Sequence, residues 1–205
     1  MREIDANEAG RHKAKMAKRK AVQDAEVRDK TVEKGLLIVN TGPGKGKSTA
    51  AFGLALRMLG HGRRVGVVQF IKGAWHCGEK DAFAAFGDQV SWHTMGEGFT
   101  WETQDLQRDI AAAERAWEKA EELMADPTIG LVVLDELNIA LRYDYLDIAE
   151  VVDFLKSEKP EMTNVVLTGR NASEELIEAA DLVTEMELVK HPFRSGIKAQ
   201  IGVEY

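Results

Sequence analysis

The chain has 205 residues, of which 44% are hydrophobic and 30% are charged; this composition suits one globular domain with a buried core and excludes a disordered chain. No apolar run approaches the length that spans a membrane, no secretory signal is evident, and the single cysteine, Cys77, excludes an intrachain disulfide. The net charge of −7 is uneven, because residues 1–34 carry +3 and the rest −10. We therefore expect a cytoplasmic protein with no nucleic-acid and no membrane partner.

The first 34 residues differ in composition from those that follow. From Arg11 to Lys34 there is no Gly or Pro, and Ala, Lys, Arg and Glu dominate, which favours a helix. Its apolar residues are small and sparse, so the helix needs a partner surface, a ligand or another subunit to be stable. A frayed, solvated extension fits the composition equally well. We divide the chain into an N-terminal helical extension, residues 1–34, and a domain, residues 35–205.

Strands and helices alternate from Gly35 onward. We predict strands at 36–39, 65–71, 89–94, 129–134, 164–168, 182–188 and 197–204, and helices at 47–59, 103–125, 146–157 and 173–180. The continuous apolar run at 129–134 is typical of parallel sheets, whose strands are buried on both faces. The alternation predicts an α/β fold with a mostly parallel sheet that is covered by helices on both faces.

A phosphate-binding loop is predicted after the first of these strands, where residues 41–49 read TGPGKGKST. Its glycines let backbone N–H groups approach an anion, and the following helix N-terminus adds positive potential. Lys47 can reach phosphate oxygens, and the Ser48 hydroxyl can bind Mg²⁺. The strict motif has Gly where this chain has Thr41, so the loop is compressed, and it contains an additional lysine, Lys45. The alternative is a plain glycine-rich turn beside a helix.

The second half of a nucleotide site is predicted where Asp135 and Glu136 follow the strand at 129–134. A carboxylate at the tip of a buried strand beside the phosphate loop can hold Mg²⁺ directly or through water. Such acids are common at strand ends, so this signal is weak alone and strong when it accompanies a phosphate loop.

Two arginines are further candidates. Arg57 lies about two and a half helical turns after Ser48; it can reach the phosphate tail of a nucleotide or form a surface salt bridge. Arg170 follows the strand that ends in Thr-Gly, at the edge of the sheet where ligands of open α/β folds bind. Nucleotide contact and structural pairing both fit Arg170.

A glycine-flanked aromatic segment, GEGFTWET at 96–103, lies between the third strand and the long helix. Phe99 and Trp101 are two residues apart, a spacing that does not suit the core of a helix. They either fill a hydrophobic seam or face a large flat ligand, and physical reasoning alone leaves both open.

Together these motifs resemble the P-loop class of ATP:corrinoid adenosyltransferases over nearly all of the chain from Gly35 to Tyr205. The resemblance is carried by TGPGKGKSTAAFG (41–53), GHGRRVGVVQFIKG (60–73), GEGFTWET (96–103), VVLDELNIAL (132–141), YDYL (143–146), TGR (168–170) and VKHPFRSGIKAQIGVEY (189–205). The family's loop usually reads G-N-G-K-G-K-[ST], and Pro43 replaces that Asn, so a contact made by its side chain cannot be transferred. The resemblance implies a P-loop NTPase-like (RecA-like) three-layer fold.

The resemblance also implies a reaction at carbon, in adenosylcobalamin biosynthesis or salvage. A corrinoid reduced to Co(I) attacks C5′ of the ATP ribose, triphosphate leaves, and the product has a Co–C bond to the adenosyl group. ATP binds in the reverse sense to most P-loop proteins and is a co-substrate, together with Mg²⁺ or Mn²⁺. Cobalt is the nucleophile, so no side chain has to act as a base.

Residue roles follow by match to the family's motifs. The nucleotide-binding set is Gly42, Pro43, Gly44, Lys45, Gly46, Lys47, Ser48, Thr49 and Arg57. Lys47 would neutralise the leaving triphosphate, while Ser48 and Glu136 would bind the metal. Phe99 and Trp101 would bind the corrinoid and act in catalysis by displacing its lower axial ligand, which leaves four-coordinate Co(II) that is easier to reduce. Family members also place the N-terminal helix over the active site, form homodimers and take electrons from a reduced flavoprotein.

The sequence admits three other interpretations. A phosphoryl-transferring or hydrolysing ATPase, with Glu136 orienting water, would yield ADP and phosphate instead of triphosphate. A nucleotide-binding regulatory module would perform no chemistry, and Phe99 and Trp101 would not matter to it. A metal site at His76, Cys77 and His93 is disfavoured because adjacent residues chelate one ion poorly and no fourth ligand is evident. The role of Cys77 stays open.

Overall fold

A computed structural model of the chain describes residues 5–71, 77–96 and 105–204. The chain divides into two compact units, Met1–Glu33 and Lys34–Tyr205. The first contains one helix, α1 (Ala6–Arg28), whose start is capped by Asp5, since its carboxylate accepts a hydrogen bond of 2.7 Å from the Glu8 N–H. The sequence correctly predicts a helix here, but the helix begins and ends five to six residues earlier than the Gly- and Pro-free stretch suggests.

The second unit alternates strands and helices. The strands are β1 (Leu37–Thr41), β2 (Arg64–Gln69), β3 (Val90–Thr94), β4 (Ile129–Asp135), β5 (Asn164–Thr168) and β6 (Leu182–Glu185). The helices are α2 (Lys47–Gly60), α3 (Gly78–Ala84), α4 (Leu106–Ala125), α5 (Leu137–Arg142), α6 (Ile148–Ser157) and α7 (Glu174–Ala179). Short 3₁₀ helices lie at Gly87–Gln89 and Pro192–Ser195.

Side-chain caps explain where three of the helices begin. Asp105, Asp147 and Ser173 directly precede α4, α6 and α7, and their side chains accept hydrogen bonds from backbone N–H groups of the first turn. These groups have no partner within the helix, so each cap stabilises its helix start. The short helices α3 and α5 were not predicted, because six or seven residues are too few for a clear helical period and neither helix begins at a side-chain cap. The equally short α7 is preceded by a capping residue, Ser173, and was predicted.

The six strands form one parallel sheet in the order β3-β2-β4-β5-β1-β6. Since the strands are parallel, their carboxyl ends meet along one side of the sheet, which we call the carboxyl edge. The opposite side, where the strands begin, is the amino edge. β5 lies between β1 and β4, so the phosphate loop after β1 and the acidic pair after β4 are separated by one strand.

Helices cover both faces of the sheet. Alternate residues of a strand point to opposite faces, and Val133 of β4 accordingly packs with Phe52 of α2 on one face. Its neighbour Val132 belongs to the core on the other face, with Met124 of α4. The result is the three-layer α/β arrangement that the resemblance implies, and the sheet is entirely parallel.

The C-terminal predictions need correction. β6 ends at Glu185, not at 188, because its partner strand β1 ends at Thr41. The Met186 N–H still donates to the Thr41 carbonyl (2.9 Å), but the Met186 carbonyl accepts the N–H of Gly44 in the phosphate loop. The predicted strand at 197–204 is wrong: none of these residues is in a strand, and residues 201–204 form a turn. Gly202 has a φ of 77°, which an extended strand cannot accommodate, and Ile201 is 82% exposed, so no neighbouring strand buries it.

Within the ranges that the structure describes, none of the helices combines the length and the apolarity that a membrane span requires.

Candidate active site

The phosphate loop joins β1 to α2 at the carboxyl edge. β1 is buried along its whole length, Gly46 precedes the helix with a φ of 108°, and α2 begins at Lys47. The first N–H groups of a helix have no partner within it, and Gly46 has no side chain with which to cap them. The start of α2 therefore presents backbone donors and a positive dipole end to an anion.

Two glycines fix this loop against the chain that follows β6. A Cβ atom at Gly42, whose φ is 95°, would lie 2.6 Å from the Met186 carbonyl oxygen, and one at Gly44 would lie 2.5 Å from that of Glu187. Only glycine permits such a close approach. The Gly44 N–H also donates to the Met186 carbonyl (2.6 Å), so this amide is already engaged. The donors that can serve an anion are those nearer to α2.

Lys47 is the buried cation of the site, with 7% of its surface exposed. Its Nζ donates to the Gly44 carbonyl (2.5 Å), which is the one hydrogen-bond acceptor that the described residues give its three donors. Burial lowers the pKa of Lys47 and the Glu136 carboxylate opposes that shift, while the positive charges of Arg170 and Lys45 lower the pKa further. Glu136, Arg170 and Lys45 thus all act on the ammonium of Lys47 at this end of the sheet.

These four groups make the site locally positive. Three of them are cations and one is an anion, although the chain as a whole carries a net charge of −7. A cluster of this kind attracts polyphosphate ligands, and the Lys47 ammonium has donors with which to bind one. The arrangement can therefore hold a nucleotide through its phosphates.

The two carboxylates after β4 have different surroundings. Asp135 is fully buried, and it accepts hydrogen bonds from the Thr168 hydroxyl (2.9 Å) and the Gln69 amide (3.0 Å). Glu136 adopts a φ of 64°, and its N–H donates to the Thr168 Oγ1 (2.9 Å). Asp135 is thus bound by the protein itself, whereas Glu136 is the carboxylate whose charge acts on Lys47.

A divalent cation could be held by oxygen atoms of Ser48 and Glu136. Ser48 is half-buried at the second position of α2, and the Oε2 atom of Glu136 is buried. No group of three or more His, Cys, Asp or Glu side chains in the described ranges is arranged to hold a metal. A small hard cation that is bound by one or two protein oxygens and completed by phosphate and water suits this donor set.

The structure does not bring Arg57 close to the loop. It is exposed in the last turn of α2. The nine residues that separate it from Ser48 correspond to about 13.5 Å along the helix and place it on the opposite face. Arg170 is also exposed, but it follows β5 directly and its charge acts on Lys47.

Several predicted residues lie elsewhere or outside the described residues. Phe99, Trp101 and His76 fall in the ranges that the structure does not describe. Cys77 is buried at the start of α3, where its Sγ contacts the Glu79 carboxylate (3.1 Å). Within the nucleotide-binding set, Pro43 and Thr49 are exposed.

Three residues of the site were not identified from the sequence. Gln69 and Thr168 surround Asp135, and Glu204 near the C-terminus forms an ion pair with Lys45. The sequence offered one signal for Gln69, which is the polar residue in the otherwise apolar run VGVVQFI. Thr168 was visible only as part of the TGR motif. Glu204 was visible only as part of VKHPFRSGIKAQIGVEY, and nothing in that motif indicated a partner as distant in the chain as Lys45.

Comparisons with known proteins address the whole chain. A family model described as ATP:corrinoid adenosyltransferase BtuR/CobO/CobP matches residues 33–205, and one described as cob(I)alamin adenosyltransferase N terminal matches residues 1–27. Among solved structures, the cytoplasmic domain of EssC has a TM-score of 0.39 at 9% identity, covering 80% of this chain and 35% of that one, which is too slight a similarity to support an argument.

Curated relatives match at much higher identity. A corrinoid adenosyltransferase of Sinorhizobium sp. is 65% identical over 95% of this chain and 92% of its own. Those of Pseudomonas aeruginosa and Escherichia coli K12 are 57% and 45% identical, each over 95% of this chain and over 96% and 98% of their own. The chain belongs to the ATP:corrinoid adenosyltransferase family.

Proposed function

We propose that this chain transfers the 5′-deoxyadenosyl group of ATP to the Co(I) centre of a corrinoid and releases triphosphate. Membership of the family gives the reaction class, which is ATP-dependent adenosylation of a corrinoid. The observation that supports the proposal in this chain is the placement of Lys47. It is a buried ammonium at the start of α2, next to the charge of Glu136 and with donors to spare. Such a group suits a polyphosphate that leaves as one unit.

The phosphate loop binds the triphosphate in this proposal. The residues that contact it are Gly42, Pro43, Gly44, Lys45, Gly46, Lys47, Ser48 and Thr49. The backbone N–H groups at the start of α2 and the Lys47 ammonium stabilise the negative charge that develops on the leaving group. Arg57 is kept as a contact to the phosphate tail on the motif match alone, because its position at the far end of α2 gives it no further support.

Ser48 and Glu136 hold Mg²⁺, or Mn²⁺ in its place. The bound cation supplies neutralisation of the triphosphate charge. The support from this chain is the pair of hard oxygen donors. Ser48 directly follows Lys47 at the start of α2, the charge of Glu136 acts on Lys47, and the backbone of Glu136 is held by its bond to Thr168.

Phe99 and Trp101 bind the corrinoid and displace its lower axial ligand. Their support is the GEGFTWET motif, together with the position of its first residue, Gly96, three residues before Phe99. The Gly96 N–H donates to the Gln69 carbonyl (3.2 Å) at the end of β2, so the segment leaves the sheet at the carboxyl edge. A homodimeric state, a reduced flavoprotein as electron donor and a cytoplasmic location complete the proposal by similarity to the family.

The deciding experiment is anaerobic. The protein is mixed with ATP, Mg²⁺ and chemically reduced Co(I) cobalamin, and the reaction is followed by visible absorbance and phosphorus NMR. We expect loss of the Co(I) band, a light-sensitive Co–C product and one triphosphate for each adenosyl group transferred. Formation of ADP and phosphate without a Co–C product would instead identify an ATPase. Reactions without ATP and without protein are the controls.

A second experiment tests the aromatic pair. Trp101→Ala should impair the route that starts from Co(II) and a reductant more than the route that starts from pre-reduced Co(I), because only the first needs the axial ligand displaced. Both rates are measured on the same preparation. Equal losses on the two routes would show that Trp101 only packs.

A further inference from the structure

A continuous chain of hydrogen bonds crosses the carboxyl edge from β3 to β5. The Thr94 hydroxyl donates to Gln69 Oε1 (3.0 Å), and Gln69 Nε2 donates to Asp135 Oδ2 (3.0 Å). The Thr168 hydroxyl donates to Asp135 Oδ1 (2.9 Å) and accepts the N–H of Glu136 (2.9 Å). Four neighbouring strands are thus linked by side chains at the level of the candidate active site.

The three central residues of this chain are removed from water. Gln69 is 1% exposed, and Asp135 and Thr168 are 0% exposed. Buried amides and carboxylates destabilise a fold unless all their polar atoms are bonded, and apolar residues of similar size serve a sheet at least as well. Stability alone therefore does not account for these residues. The residue at the end of the chain of bonds indicates what else they do.

The chain of bonds ends on the backbone of Glu136. A hydroxyl has one proton, and the Thr168 Oγ1 accepts the N–H of Glu136, so its proton is directed to Asp135. This bond holds Glu136 at a φ of 64°, a left-handed conformation that residues with a side chain rarely adopt. Conformations of this kind persist only where the surroundings impose them, and they concentrate at functional sites.

We propose that Thr168 is a positioning residue for adenosyl transfer. Its hydroxyl is bonded to Asp135, which Gln69 supports in turn, and it fixes the backbone of Glu136 so that the Glu136 carboxylate faces Lys47 and the metal-bound triphosphate. Thr168 itself touches no substrate. The proposal rests on the role given above to Glu136, and it adds the residues that make that role possible.

Gln69 extends the same arrangement to the end of β3. Its side chain supports Asp135, and its carbonyl accepts the N–H groups of Met95 (3.0 Å) and Gly96 (3.2 Å). The strand end that leads to the GEGFTWET segment and the strand end that bears Glu136 are therefore fixed to the same buried residue. Loss of the Thr168 hydroxyl removes the link at its Glu136 end and leaves the Gln69 end intact.

The test compares three variants. Thr168→Val keeps the shape and removes the hydroxyl, Thr168→Ser keeps the hydroxyl, and Thr163→Val makes the same change at a buried threonine just before β5, at the amino edge. Turnover with pre-reduced corrinoid, its dependence on Mg²⁺ and the thermal stability are measured for each. Calorimetry also gives the ATP affinity with and without Mg²⁺.

We expect Thr168→Val to lower kcat by about 10- to 100-fold and to weaken the Mg²⁺-dependent part of ATP binding, as is typical when a residue that orients a metal ligand is removed. The KM for the corrinoid should not change. Thr168→Ser should restore kcat to within about threefold of the wild-type value on the same scale, and Thr163→Val should leave kcat and ATP affinity unaltered.

Two results with the single variants would overturn the proposal. One is a Thr168→Val variant with the kcat of the wild type, and the other is a Thr168→Ser variant as impaired as Thr168→Val. If Thr168→Val does not fold, Thr168→Ala replaces it. In a Glu136→Gln background, loss of the Thr168 hydroxyl should lower kcat little further, because both changes remove the action of the Glu136 carboxylate. Fully additive losses of kcat would contradict the proposal. If the wild-type protein forms no Co–C product, the proposed function fails, while the Mg²⁺-dependent ATP affinities still decide the role of Thr168.

Discussion

Each edge of the sheet holds a lysine, buried Lys47 at the carboxyl edge and half-buried Lys159 at the amino edge. The two differ in what their ammonium groups contact. At the amino edge, Lys159 Nζ donates to three backbone carbonyls, those of Gly35 (3.2 Å), Pro160 (3.1 Å) and Thr163 (2.8 Å). At the carboxyl edge, Lys47 has one such acceptor among the described residues. Burial lowers the pKa of both. Lys159 directs all three of its donors to the backbone and so stabilises the fold. Lys47 donates to one acceptor among the described residues and is therefore suited to bind a ligand.

The same contrast holds for the other buried polar groups. All but one of the buried polar or charged side chains in the described ranges lie at the carboxyl edge: Asn40, Thr41, Lys47, Gln69, Asp135, Asn138 and Thr168. The exception is Thr163. Because each such group is costly to bury, their segregation to one edge locates the functional site independently of any motif.

The largest expected effect separates the two lysines. Lys47→Ala should lower turnover at least about 100-fold, because it removes the cation that stabilises the leaving triphosphate, and should leave the melting temperature nearly unchanged or raised. Lys159→Ala should keep turnover per folded molecule and lower the free energy of unfolding by about 1–3 kcal/mol, since three carbonyls lose a charged donor. Steady-state kinetics and denaturant unfolding on both variants check this. Near-normal turnover of Lys47→Ala would contradict the role of the loop.

A second prediction concerns pH. Because the pKa of Lys47 is lowered, its ammonium loses its proton at a lower pH than an exposed lysine, and ATP affinity should fall with it. The free energy of unfolding should instead rise with pH. Each of the two lysines has a lower pKa in the folded chain than in the unfolded chain, so between these two pKa values the unfolded chain binds more protons. Stability increases with pH wherever the unfolded state binds more protons. Calorimetry and unfolding curves from neutral to alkaline pH measure the two trends. The Lys159→Ala variant should show the same fall of ATP affinity with rising pH. If ATP affinity and the free energy of unfolding of the wild type both fell as the pH rose, the lowered pKa of Lys47 would be refuted as the cause.

Most of the fold was predictable because buried parallel strands are continuous apolar runs and the longer helices have clear limits. The strand at Asn164–Thr168 was predicted to the residue. The order of the strands was not, because nothing local in the sequence says that β5 inserts between β1 and β4. The C-terminal strand failed for a related reason: Val and Ile at 197–203 favour a strand, but whether a neighbour is available to pair with it is a tertiary property.

The candidate site was predictable to the extent that its groups belong to local motifs. Lys47, Ser48 and Glu136 follow directly from a strand, a glycine loop and a helix start. Gln69 and Thr168 act through partners on other strands, so only the three-dimensional register of the sheet brings them to Asp135. Arg57 differs from these residues. The match to the family predicted that it contacts the phosphate tail, but it lies in the last turn of α2, far along the helix from the phosphate loop.

The smallest expected effect concerns Lys45, the exposed cation of the loop. Its ion pair with Glu204 lowers the pKa of the Glu204 carboxyl, which is therefore charged at neutral pH and competes with phosphate for Lys45. Glu204→Gln should lower the KM for ATP by about twofold to fivefold at low salt, the range expected for an exposed pair. The difference should vanish in high salt. A raised KM for ATP would show instead that Glu204 holds Lys45 in its binding position.

The place of β5 in the sheet has a consequence for how the protein acquires its activity. The phosphate loop and Glu136 are both synthesised before β5, yet β5 must be inserted between β1 and β4 before they reach their final separation. Contacts between segments so distant in the chain form late in folding, because closing the long intervening loops costs entropy. A ribosome-bound chain that ends before residue 164 therefore lacks a nucleotide site, and nucleotide binding during refolding reports completion of the sheet.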